Sequence, residues 1–118
     1  MQEKPGWNGR LPNGEKAIVD IGKLTGYCLN PLHPRGRHKA KVFAATVGID
    51  LRDAEMLRTF LLKAAREADA ALGEKDEFGQ RYVIDFPMAG PKGNATVRSS
   101  WILLDGEIAP RFISCYVI

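Results

Sequence analysis

Two histidines and four cations fall within one short run, NPLHPRGRHKAKVF, at residues 30–43. His33 and His38 are the only imidazoles of the chain, and Arg35, Arg37, Lys39 and Lys41 stand around them. Imidazole exchanges protons near neutral pH, and clustered Lys and Arg attract phosphate. A helix starting here adds free N–H groups and a partial positive charge, which suit the same anion. Where no anion binds, the cations oppose the helix dipole. The stretch is therefore either a solvated helix start or a site that handles phosphate.

A second group lies at the C-terminal end, RFISCYVI. Read as a strand, it places Phe112, Ser114, Tyr116 and Ile118 on one face and Arg111, Ile113, Cys115 and Val117 on the other. Ser114 and Tyr116 would then offer two hydroxyls side by side; the plainer reading is a strand with core aromatics. Arg98 shares a face with Thr96, Ser100 and Ile102 and projects either toward a cleft or to water. The carboxylates show no paired spacing, and no Walker loop, GxSxG, HExxH or EF-hand pattern occurs. Cys28 and Cys115 have no CxxC or Cys/His ligand spacing, so they read as buried reduced thiols, with no metal and no cofactor expected.

The elements that must position these side chains come in two blocks. Residues 1–14 carry Pro5, Gly6, Gly9, Pro12 and Gly14 and read as a flexible arm. KAIVDI (16–21) is a brief strand or an extended lead-in. Leu24, Tyr27 and Cys28 form a helical stripe within Lys23–Leu29, stopped before Pro31. Ala40, Phe43, Ala44 and Val47 make the apolar stripe of a second helix, from about Arg37 to Val47, closed by Gly48. That stripe puts His38 on the opposite, outward side and Lys39 and Lys41 on its flanks. Asp50 caps a third helix, helped by Asp53, and Leu57, Phe60, Leu61, Ala64, Ala68 and Leu72 carry it to residue 72. Beyond the polar loop GEKDEFG (73–79), strands follow at 81–86, 96–104 and 111–118, joined by the turns GPKGNA and DGEIAP. Consecutive strands with short turns pair as an antiparallel meander. The fold class is α+β: two to three N-terminal helices packed on a three- or four-stranded antiparallel meander, as one domain over 1–118.

The bulk properties exclude several classes. A chain of 118 residues with 45% hydrophobic and 26% charged residues builds an ordinary core. No apolar run approaches the roughly 18 residues of a membrane span. The N-terminus lacks the apolar segment of a signal peptide, so a cytoplasmic protein is expected. A net charge of +3 permits nucleic-acid binding without requiring it.

LPNGEKAI (11–18), the NPLHPRGRHKAKVF stretch, GQRYVIDFPMAGPKGNATVRSSW (79–101) and PRFISCYVI (110–118) together resemble a family of short bacterial domains. Those domains occur alone and at the C-terminal end of polymorphic toxins. The closing strand is similar to the ending of many toxins of the barnase–EndoU–colicin–RelE group, which are metal-independent ribonucleases. The resemblance implies catalytic roles for His33, Lys39, Ser114 and Tyr116, with Arg98 and Arg111 in support. Arg35, Arg37, His38 and Lys41 would bind phosphate or RNA. The chain departs from the pattern where Tyr116-Val117-Ile118 replaces the usual Tyr-Pro close, and where His38 precedes Lys39. The function implied is RNA cleavage through 2′-hydroxyl attack, with RNA and a cognate antitoxin or immunity protein as partners. The alternatives are a non-catalytic nucleic-acid-binding or toxin-neutralising protein and, further off, an enzyme acting on a small phosphorylated molecule.

Overall fold

The computed structural model describes residues 9–118. Helices come first. The short α1, Ile21–Lys23, runs on into a π-helical turn at Leu24–Cys28; α2 is Arg37–Thr46 and α3 is Ala54–Glu67. Four strands follow: β1 (Ala71–Lys75), β2 (Gly79–Ala89), β3 (Asn94–Leu104) and β4 (Arg111–Val117). They lie in chain order, each antiparallel to the next. The class is α+β, and the meander has four strands.

Local chemistry accounts for the helices. Ala40, Phe43 and Val47 of the α2 segment are buried. Gly48 ends it in the left-handed region, at φ 82°, and an added Cβ there would stand 2.6 Å from the Lys92 Cβ. Ala44 departs from the expected stripe and is exposed. Asp50 and Asp53 cap each other's backbone through a 3-10 turn at Leu51–Asp53, which leads into α3. Leu57, Leu61, Ala64 and Ala65 then face the core.

The third helix is shorter than its apolar spacing implied. It stops at Glu67, and Ala68 is already extended, at φ −87° and ψ 157°. Leu72 lies in β1 opposite Tyr82. An apolar residue at 72 fits a helical stripe and a strand face equally well, and pairing with β2 decides between them. The polar loop expected at 73–79 contracts to a tight corner, where the Asp76 carboxylate accepts the N–H groups of Phe78 and Gly79.

The two central strands pair without a break from Gly79–Leu104 to Ala89–Asn94. Ile84, Phe86, Val97 and Trp101 of these strands join Phe43, Leu57 and Leu61 in one core. Ser99 is 0% exposed, and its hydroxyl donates to the Ile84 carbonyl while accepting from the Trp101 indole N–H.

Of KAIVDI, residues 17–20 form an extended lead-in between a 3-10 turn at Gly14–Lys16 and α1. Ile18 makes a single parallel bridge to Arg111 on β4. The arm expected over 1–14 is packed down from Arg10 onward: Arg10 bridges to Asp69, and Leu11 is 3% exposed. Residues 1–8 lie outside the described residues. Among the described residues no helix is long and apolar enough to cross a membrane.

Candidate active site

Lys39 sits in the first turns of α2 and reaches back over the π-helical turn. Its ammonium donates to the Tyr27 hydroxyl at 2.8 Å and to the Ser114 hydroxyl at 3.5 Å. It also stands 4.5 Å from the Tyr27 ring centroid and 5.8 Å from that of Tyr116. Two hydroxyls and two rings satisfy its donors, but none of them is a carboxylate. Among the described residues Lys39 has no carboxylate partner.

The arginines sharpen that contrast. Arg10, Arg52, Arg58, Arg66, Arg81, Arg98 and Arg111 each meet a carboxylate. Arg35 and Arg37 do not, within the described residues. The unpaired arginines are thus the two in the stretch that holds both histidines.

Three local devices bring the cluster together. The π-turn closes with the Leu29 N–H on the Leu24 carbonyl, leaving Cys28 buried and Tyr27 half-buried. Turns of this kind recur at functional sites. The loop after it lies on Tyr27: a Cβ at Gly36 would come 2.1 Å from the Tyr27 carbonyl oxygen. His33 holds that loop. Its Nδ1 accepts the N–H groups of Arg35 and Gly36, both at 3.0 Å, and its ring meets Tyr27 edge-on at 4.7 Å. With Nδ1 accepting, the imidazole proton sits on Nε2.

The third device is a bulge in β4. Ser114 lies opposite Ser100 while Phe112 lies opposite Trp101, so Ile113 is the extra residue. The simple alternation placed Phe112 with Ser114 and Tyr116, and the bulge breaks it. Phe112 and Cys115 enter the core, whereas Ser114 stays half-buried and Tyr116 is 38% exposed.

Beneath Ser114 lies the Cys28 thiol, 3.7 Å from its hydroxyl. Hydrogen bonding from Cys115 lowers the Cys28 pKa to about 6, helped by Ser114 and Lys39 and opposed by burial. Cys115 is pushed upward by Cys28 and by burial. Both cysteines are free. Lys39 and Tyr116 line a cleft of about 270 Å³ together with His38, Val42 and Val117.

A family model described as "Domain of unknown function (DUF6883)" matches residues 10–118. The chain belongs to this family. No curated protein and no solved structure matches it.

In this DUF6883 chain, three of the four residues grouped by resemblance, Lys39, Ser114 and Tyr116, converge directly. His33 joins them through Tyr27. His38, read as outward-facing, is exposed but shares the cleft with Lys39 and Tyr116. Arg98 lies across from Tyr116 on β3, but its Nε and Nη2 donate to the two carboxylate oxygens of Asp85, both at 2.8 Å. Asp85 first, and then Tyr116, raise the Arg98 pKa further. Arg111 is paired with Glu107 near the far end of β4. Among the described residues no group of His, Cys, Asp and Glu stands together in a way that could hold a metal ion.

Cys28 is buried in the core, as its spacing implied, but spacing did not show that it and Tyr27 meet the Lys39–Ser114 cluster. Their helical stripe assigned both to the core, and no motif separates a tyrosine that meets a lysine from one that packs.

Proposed function

We propose that this domain is a toxin-like ribonuclease that cleaves single-stranded RNA without a metal, by attack of a 2′-hydroxyl on the adjacent phosphate. The observation that carries this reading is the Lys39 ammonium, fixed by Tyr27 and Ser114 and left without a carboxylate at the wall of an open cleft. A scissile phosphate entering the cleft supplies the negative charge that no carboxylate provides. Lys39 then stabilises the extra charge of the phosphorane, in a site organised before substrate arrives.

The 2′-oxygen loses its proton to a base and bonds to phosphorus. The P–O5′ bond breaks, and the departing oxygen takes a proton, leaving a 2′,3′-cyclic phosphate and a 5′-hydroxyl. His38, exposed on the same cleft, takes the first proton and returns it to the leaving oxygen. His33 orders the loop that seats Tyr27 and keeps its Nε2 proton for donation. Tyr116 offers an aromatic face for a base, and Ser114 positions a phosphate oxygen. A cytoplasmic setting and a neutralising partner protein accompany this reading.

The test is cleavage of RNA by purified protein in EDTA, with Lys39→Ala as the folded control. Products ending in cyclic phosphate are expected from the wild type and not from the variant. No cleavage of any RNA, together with normal growth on induction, would sink the proposal.

Unpaired Arg35 and Arg37 also fit a second reading, a module that binds nucleic acid or a toxin without cutting. It predicts salt-dependent binding with no product.

A further inference from the structure

A second cleft, of about 450 Å³, opens on the other flank of α2, and His38 lines it as well as the first. Its volume falls in the range of small-molecule sites, roughly 300–1,000 Å³. Leu29 and Ala40, both nearly inaccessible, give it a fixed apolar floor. Ala44 forms an exposed wall, where a longer side chain would fill the space.

The rim is cationic. Arg37 and Lys41 both line the cleft, one helical turn apart. Like charges at this spacing repel, and near a helix start they also oppose the dipole. Neither has a carboxylate partner among the described residues. One carboxylate does face the cleft: Asp50, whose two oxygens are anchored by Arg52 at 2.9–3.2 Å. An anchored carboxylate accepts hydrogen bonds and gives none.

We propose that this cleft seats the base of a nucleotide next to the scissile phosphate, with Arg37 and Lys41 on the RNA backbone and Asp50 reading an exocyclic amino group. The inference rests on the ribonuclease reading and adds a substrate preference. Cytosine, adenine and guanine carry an amino group that a carboxylate accepts; uracil carries none. His38, between the two clefts, stands where the base site and the phosphate site meet.

The experiment is an NMR titration of the full chain with non-cleavable 2′-deoxy hexanucleotides, one rich in cytosine and one containing only uracil. Methyl signals of Ala40 and Ala44 are expected to shift with the cytosine oligomer. Ala44→Trp, which plugs the cleft from an exposed position, is expected to weaken its binding at least tenfold. Asp50→Asn retains a good capping residue and is expected to erase the preference over uracil. Unshifted Ala40 and Ala44 signals overturn the subsite, as does an Ala44→Trp variant that cleaves RNA with unchanged kcat/KM. If the oligomer fills the cleft but no RNA is ever cut, the catalytic reading fails and the subsite stands.

Discussion

The Lys39 ammonium and the Tyr27 hydroxyl stand 2.8 Å apart, joining the first turns of α2 to the π-helical turn. The pair fixes a cation in place without neutralising it. A cation held without a carboxylate is useful to an anionic ligand. Replacing Lys39 by Ala should lower kcat by about 10²–10³-fold, the usual loss for one preorganised charge-stabilising donor. The melting temperature should change little, because the contacts of Lys39 with Tyr27 and Ser114 are lost together with the desolvation cost of a half-buried cation. Cleavage kinetics and calorimetry on one preparation check both halves.

Gly36 and Gly26 offer a matched pair. A Cβ on Gly36 meets the Tyr27 carbonyl oxygen at 2.1 Å, whereas one on Gly26 meets nothing within 4 Å. Gly36→Ala should cost about 1–3 kcal/mol, as overpacking does, and should displace Tyr27 from Lys39. Gly26→Ala should be neutral or stabilise by up to about 1 kcal/mol. Urea denaturation measures the two changes; equal effects would contradict the close approach.

Ser99 carries a buried relay from the Trp101 indole to the Ile84 carbonyl. Ser99→Ala strands a donor and an acceptor in the core, at a cost of about 1–3 kcal/mol. Tryptophan fluorescence should shift as the indole loses its partner. An unchanged denaturation midpoint would show that water replaces the hydroxyl.

The Cys28 thiol has its pKa lowered from an ordinary 9.0 to about 6. A depressed acid stabilises the fold fully above its unfolded value, and that stabilisation is lost as pH falls through the folded value. Stability of the wild type should therefore climb from about pH 6 to pH 9 relative to Cys28→Ser. Thiolate absorbance near 240 nm should titrate with a midpoint near 6 and move upward in Cys115→Ala. A wild-type midpoint near 9 would remove the coupling between the two thiols.

Much of the fold was legible in periodicity and turn chemistry. The bounds of α2, the Gly48 stop, the Asp50 cap and the meander all follow from local signals. Leu72 was not legible, because its side chain satisfies both periods until a neighbouring strand claims it. Ala44 was misplaced because an alanine on a stripe does not reveal whether anything covers it. The face of Ser114 depended on a bulge at Ile113, which sits in an unbroken run of strand-forming residues with no glycine to mark it. Strand alternation paired Ser114 with Tyr116, but resemblance alone joined Lys39 to them. Spacing could not have joined residues 75 positions apart.

The bulge at Ile113 also affects how this sheet meets other chains. β4 is one edge of the sheet, and its extra residue interrupts the regular ladder. At the other edge, β1 is five residues long, shifts register between Leu72 and Lys75, and exposes Glu74 and Lys75. Short, bulged and charged edges resist strand-to-strand addition. Strand addition from another chain is therefore disfavoured at both edges of the sheet.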